Sequence, residues 1–154
     1  MRIIISLVII CLSLTDVTGQ NNELEDIIRT SLNSYVKENR EGINRATMKD
    51  KFYFSIDNYP PHFKFEDTIQ GIPVKYVNTN YPLASKISLK STVGIAVLRI
   101  KLENSKMIIS ITDYSVKFEK KISRWILNES MIFIYEYSCE QQKWLLLKTE
   151  RNGY

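Results

Sequence analysis

The sequence predicts an α+β fold in which one N-terminal amphipathic helix packs on a curved antiparallel sheet. One stretch near the N-terminus has helical periodicity, and the C-terminal half consists of long runs that alternate apolar and polar residues. Strand patterns do not alternate with helical ones, which disfavours a parallel α/β sheet. The predicted order is therefore a helix, two or three short strands and a C-terminal four-strand meander. A β-sandwich is the alternative architecture.

The chain begins with a segment that has the features of a secretory signal peptide. A positive charge at Arg2 precedes an apolar run that ends at Leu14. This run is shorter than the about 20 apolar residues that a membrane-spanning helix needs. Small residues near the end of the segment suit a signal peptidase, so we expect cleavage between Gly19 and Gln20. The alternative is a lipid anchor through Cys11.

Cleavage there divides the chain into a leader, residues 1–19, and one mature domain, residues 20–154. Of the 154 residues, 44% are hydrophobic and 25% charged, as in an ordinary globular domain. The formal net charge is +4, but positive and acidic residues are interleaved. Nucleic-acid-binding proteins usually concentrate charge on one face, so we expect no nucleic-acid partner. We expect an exported protein, periplasmic or secreted, without a transmembrane segment after cleavage. The sequence does not identify its partner, and it is compatible with either a protein or a small molecule.

The helix is predicted over about residues 23–41. Its apolar residues recur at intervals of three and four and form one stripe: Leu24, Ile27, Ile28, Leu32, Tyr35 and Val36. Acidic residues occupy the first turn, and Gly42 is a suitable C-terminal stop. A single apolar stripe indicates that the helix lies across a sheet. Arg29 and Lys37 lie off this stripe.

The strands are predicted from runs in which apolar residues recur at every second position. Two short strands are expected at residues 51–56 and 74–77. Four longer ones are expected at residues 93–102, 107–118, 131–138 and 143–149. Residues 103–106 have the composition of a hairpin turn, and the irregular residues 78–92 predict a loop.

Three stretches of the chain resemble a family of small bacterial exported proteins of unknown function. They are SLNSYV at residues 31–36, ITDYSV at residues 111–116, and YEYSCEQQKW at residues 135–144 followed by Asn152-Gly153. This resemblance implies export and brings no activity, because the family has none assigned. The order of the elements is also similar to that of cystatin-like and NTF2-like α+β proteins, which implies a curved sheet around one helix.

The residue types that catalysis and metal binding need are sparse. His62 is the one histidine, no Cys-x-x-Cys pair exists, and isolated glycines form no phosphate-binding loop. We therefore expect no catalytic residue, no metal ligand and no cofactor. His62 is a candidate general base beside Asp57 or Asp67. A histidine in a surface loop is the plainer interpretation.

Asp113 is the strongest candidate for a ligand-binding residue. It falls on the same side of its strand as Ile109 and Ile111. NTF2-like proteins place a carboxylate in such a cavity, where burial raises its pKa and suits it to proton abstraction. The plainer interpretations are that Asp113 faces solvent or pairs with Arg99 on the neighbouring strand.

Tyr114 and Tyr137 are further candidates because aromatic rows on a sheet bind glycans and peptides. Such rings also pack across strands as ordinary sheet residues. Cys139 is the one cysteine left after cleavage, and we expect it to be a buried thiol.

These observations favour a small exported binding or interaction module without catalysis. The alternative is an NTF2-like pocket protein that binds or turns over a small ligand, with Asp113 in the cavity. A closed apolar cavity around Asp113 would favour the second hypothesis.

We predict that the exported protein starts at Gln20. Cleavage after Gly19 leaves residues 20–154, so the intact mass of the exported material should equal that of this segment. A lipid-modified start at Cys11, or a mass that includes the leader, would contradict the prediction.

Overall fold

A computed structural model describes residues 23–39, 52–55, 58–60, 62–78, 92–118 and 123–153. Residues 23–39 form one helix, α1. The strands are β1 (Phe52–Ser55), β2 (Thr68–Ile69), β3 (Ile72–Val77), β4 (Thr92–Glu103), β5 (Lys106–Phe118), β6 (Ser123–Ser138) and β7 (Lys143–Gly153). Cys11, Gly19 and Gln20 lie outside the described residues, as does most of the predicted loop at residues 78–92.

All seven strands belong to one mixed sheet of order β2-β3-β1-β4-β5-β6-β7. Strand β1 is parallel to both β3 and β4, and all other neighbouring strands are antiparallel. The predicted cystatin-like or NTF2-like α+β fold, with its antiparallel sheet and four-strand meander, is therefore wrong. The structure is mostly strand, and a strand from the N-terminal half lies inside its sheet with two parallel partners. The β-sandwich is wrong as well, because the described strands form one sheet.

The composition of β1 explains its place inside the sheet. Phe52 and Phe54 are 3% and 0% exposed and belong to the core under α1. Tyr53 points to the other face and packs in a second, smaller cluster. A strand with apolar side chains on both faces suits an interior position in the sheet, where both faces are covered.

Two tight turns need backbone conformations with positive φ. Asn104 and Ser105 join β4 to β5 with φ values of 49° and 60°, which confirms the predicted turn at residues 103–106. Gln70 and Gly71 join β2 to β3 with φ values of 52° and 73°. Two successive positive φ angles are typical of the hairpin turns that match the right-handed twist of the strands.

Helix α1 confirms the predicted stripe. Ile28 and Val36 are fully buried, and Leu32 and Tyr35 are each 2% exposed. The ring of Tyr35 meets Phe52 and Phe54 edge-on, with centroid distances of 6.3 and 6.1 Å. The apolar face of α1 therefore contacts the sheet over β1 and the neighbouring strands. Within the described part of the chain, no helical stretch has both the length and the apolar character of a membrane span.

The opposite face of the sheet carries a second apolar cluster. Ile95 and Val116 are fully buried there, and half-buried side chains surround them: Tyr53, Val77, Val93, Val97 and Tyr114. A bulge between Asp113 and Tyr114 shifts the pairing of β5 with β6 by one residue. The strands β4 and β5 therefore have apolar side chains on both faces of the sheet.

The burial of α1 predicts unequal effects of two substitutions on the helix. Leu32→Asp places an unpaired carboxylate at a site 2% exposed and should lower the free energy of unfolding by several kcal/mol. Lys37→Ala at an exposed position should change it by about 0.5 kcal/mol or less. Urea unfolding of both variants measures the difference, and equal midpoints would show that this face of the helix is not buried. Arg29→Ala is unsuitable as the control, because Arg29 forms an ion pair with Glu66.

Candidate functional site

Asp113 lies on the face of the sheet that α1 covers. It stands in β5 opposite Ala96 of β4 and Glu129 of β6. The hydroxyl of Tyr35 donates a hydrogen bond to Oδ1 of Asp113 across the gap between helix and sheet. Asp113 therefore contacts Tyr35 and does not simply face solvent. It does not pair with Arg99 either, because Arg99 is exposed and stands opposite Ser110.

Arg151 extends this contact into a polar network. Its guanidinium forms an ion pair with Glu129, with a distance of 3.0 Å from Nη2 to Oε2, and donates to Oδ1 of Asn39 at 3.1 Å. Asn39 is 7% exposed and lies in the last described turn of α1. The network therefore joins α1 to β5, β6 and β7, and its members are Tyr35, Asn39, Asp113, Glu129 and Arg151.

Burial raises the pKa of the Asp113 carboxyl above its usual value of 3.8, while the Tyr35 hydrogen bond and the Arg151 charge lower it. Burial also raises the pKa of Tyr35 well above 10.0, and the charge of Asp113 adds to this effect. Tyr35 thus stays protonated and acts as the donor. The carboxyl is held by side chains of the protein itself, so the network ties the helix to the sheet.

Two further hydrogen bonds join the N-terminal half of α1 to the sheet. The hydroxyls of Ser31 and Tyr135 are 2.9 Å apart in a buried contact. The backbone N–H of Trp144 donates to Oε1 of Glu23 at 2.7 Å. Because these contacts occur along the whole helix, they set its position on the sheet.

A cluster of rings, the aromatic corner, lies beside β3. It consists of Tyr59, Phe63, Phe65 and Tyr76, with Phe65 and Tyr76 closest at a centroid distance of 4.3 Å. The Tyr59 hydroxyl is buried without a hydrogen-bond partner among the described residues, and burial raises its pKa. Burial also raises the pKa of Tyr76 to about 12.

Arg29 closes the aromatic corner from the helix side. Its guanidinium lies 5.0 Å from the centre of the Phe63 ring, donates to the Lys64 carbonyl oxygen at 2.7 Å and pairs with Glu66. The cleft left beside Arg29 has a volume of about 10 Å³, about the space of one water molecule. Asp113 does not line this cleft.

The structure does not bring the other candidates together with Asp113. His62 is exposed in a turn whose Phe63 N–H donates to the Pro60 carbonyl oxygen at 3.0 Å. Tyr114 lies on the opposite face and contacts the Trp125 ring at 5.5 Å. Tyr137, 41% exposed, contacts Trp144 at 5.6 Å near the end of β6.

Cys139 is exposed, so the prediction that it is buried is wrong. It follows the last residue of β6 and lies in the turn that leads to β7, where the neighbouring rings do not cover it. In the described residues, no group of three or more His, Cys, Asp or Glu side chains is placed to hold a metal ion.

Exposed apolar side chains occur where the sheet ends. Leu146 and Leu147 of β7 are 50% and 51% exposed, and Tyr137 of β6, which pairs with Trp144 two residues before Leu146, is 41% exposed. We call Tyr137, Leu146 and Leu147 the edge patch. Strand β7 pairs with β6 on one side, and its outer edge is unpaired among the described residues. Sequence periodicity missed this feature because alternating residues do not show which strand is last in a sheet.

Residues Glu129 and Arg151 of the network were not predicted from the sequence. The predicted β7 ended at residue 149, whereas the strand continues to Gly153 and carries Arg151 into contact with α1. The sequence places Tyr35 in the apolar stripe because of its ring, but its hydroxyl contacts Asp113, 78 positions away. A tyrosine within an apolar stripe indicates a polar partner on the facing element, because a buried hydroxyl needs a hydrogen bond.

The raised pKa of Asp113 predicts how stability depends on pH. A carboxyl whose pKa is higher in the folded state binds more protons there than in the unfolded state. The free energy of unfolding therefore falls as the pH rises from about 3.8, the pKa of Asp113 in the unfolded chain, through its higher pKa in the folded protein. Asp113→Asn keeps an acceptor for Tyr35 and removes this titration. The wild-type protein should therefore lose stability relative to Asp113→Asn as pH increases through this acid range. Urea midpoints of both proteins at several pH values measure this, and a relative gain by the wild type would contradict it.

Comparison with known proteins adds no family to this description. No protein-family model matches the chain, and neither a search of curated proteins nor a search of solved structures found a match.

Proposed function

We propose that the protein is a small exported, non-catalytic interaction module that binds an extended polypeptide segment along the outer edge of β7. The observation that carries this proposal is an 11-residue edge strand with Leu146 and Leu147 half exposed. An edge strand offers a row of backbone donors and acceptors to an added strand. The exposed leucines supply apolar contacts for that segment.

The two edges of the sheet differ in a way that favours β7. Strand β2, at the other edge, has two residues, whereas β7 has eleven. A short edge is one of the ways in which proteins avoid pairing with other chains. The long edge with an apolar patch is therefore the better template for a partner strand.

The polar network around Asp113 supports a binding module over a pocket protein. Tyr35 donates a hydrogen bond to its carboxyl, and the charge of Arg151, which Asn39 and Glu129 hold in place, lowers its pKa. A ligand at this carboxyl would have to compete with the Tyr35 hydroxyl. The pocket hypothesis stays a prediction, and so do export and the resemblance to small bacterial exported proteins.

We predict that a charge placed in the edge patch abolishes strand binding. The test is selection of linear peptides from a displayed random library on the immobilised protein, followed by titration of enriched peptides. Leu147→Lys should weaken their binding at least tenfold, because a lysine blocks an added strand on an edge. Leu102→Lys is the matched control, since Leu102 is 71% exposed but lies on β4, away from the edge.

The same titrations can overturn the proposal. Equal loss of binding in Leu102→Lys and Leu147→Lys would place the contact elsewhere. The proposal is also wrong if no peptide is enriched and the protein does not self-associate.

A further inference from the structure

We infer that the segment bound at the β7 edge is β7 of a second copy of this chain, in an antiparallel register centred on Thr149. This inference rests on the proposed function and names its partner. The order of charges along β7 decides the register, because a symmetric pair of edges has to bring opposite charges together.

Symmetry limits the registers that two copies can adopt. A two-fold axis perpendicular to the sheet joins two edges into one continuous sheet and keeps both helices on the same face. Residues opposite each other must then point to the same face, so the axis passes through one residue of β7. From Lys148 to Gly153 the strand pairs regularly with β6, so this part can carry such an axis.

The charges of β7 distinguish between these registers. Lys148 and Glu150 lie on the same side of the strand, 63% and 35% exposed, with 2.6 Å between Lys148 Nζ and Glu150 Oε1. An axis at Thr149 places Lys148 of each copy opposite Glu150 of the other. Opposite charges in facing positions stabilise a strand pair, and like charges destabilise it.

Neighbouring registers oppose like charges or bring residues of different faces together. An axis at Lys148 or at Glu150 would place that residue opposite itself. An axis at Leu146 or Leu147 would place residues from the two sides of the bulge opposite each other, and these point to different faces of the sheet.

The Thr149 register also covers part of the edge patch. It brings Leu147, at the end of the regularly paired segment, next to Arg151 of the other copy. The Arg151 side chain is 50% exposed, and its charged end is held by Glu129 and Asn39, so its methylene groups can pack on Leu147. A bulge between Ile134 and Tyr135 leaves Leu147 without a facing residue on β6.

Charge reversal with rescue tests the register. Sedimentation equilibrium of the exported chain should show a reversible dimer. Lys148→Glu and Glu150→Lys should each weaken the dimer about tenfold or more, because symmetry turns two attractive pairs into two repulsive ones. The double variant with both substitutions should restore the wild-type dissociation constant. Leu102→Lys should leave it unchanged.

A disulfide provides a second measurement that does not depend on affinity. In a Cys139→Ser background, Thr149→Cys should crosslink the two copies under mild oxidation, because residues at the axis face each other within disulfide range. Lys148→Cys should not crosslink, since residue 148 faces residue 150.

The outcomes separate this inference from the proposed function. The inference is overturned if the protein is monomeric at all concentrations. It is also overturned if neither charge reversal, nor the double variant, changes the dissociation constant of the dimer. If linear peptides still bind in a way that Leu147→Lys abolishes, the edge binds a different chain and the proposed function stands. If neither peptides nor a second copy use the edge, both are wrong.

Discussion

Burial of the apolar face of α1 is the constraint on which the rest of the structure depends. An isolated helix of this length is marginal in water, so its stripe has to be covered by the sheet. Tyr35 lies where helix and sheet meet, with its ring against Phe52 and Phe54 and its hydroxyl on Asp113. A carboxyl under a helix is costly unless it is hydrogen-bonded, so Tyr35 and Asp113 each require the other.

Polar contacts decide where along the sheet the helix lies. Glu23 accepts the backbone N–H of Trp144 at one end, and Asn39 accepts a hydrogen bond from Arg151 at the other. Apolar packing is tolerant of small shifts, whereas a hydrogen bond is lost within a fraction of an ångström. Both contacts involve β7, so the last strand of the sheet is tied to the helix on one face, while no described strand pairs with its outer edge. The strand proposed to bind is therefore held in place by polar contacts with the helix.

Much of the local structure could be predicted from particular residues. The helical stripe was correct because each of its apolar positions is determined by a period of 3.6 residues. The side of β5 that carries Ile109, Ile111 and Asp113 was also correct, since alternation along a strand fixes the face. The partner of Asp113 could not be predicted, because Tyr35 is 78 residues away and no local pattern connects them. Arg99 was the wrong choice since it points to the other face from Asp113, by the same alternation.

The sequence by itself determined the helix, most of the strand positions and the turn at Asn104 and Ser105, because these follow from periodicity and turn chemistry within a few residues. The tertiary structure alone decided that β1 enters the sheet between β3 and β4 as a parallel strand. Alternation of side chains is the same in parallel and antiparallel strands, so the pattern of β1 does not reveal its neighbours. Strand order, and with it the place of β7 at one end of the described sheet, depends on backbone hydrogen bonds between distant segments, which a local sequence pattern does not specify.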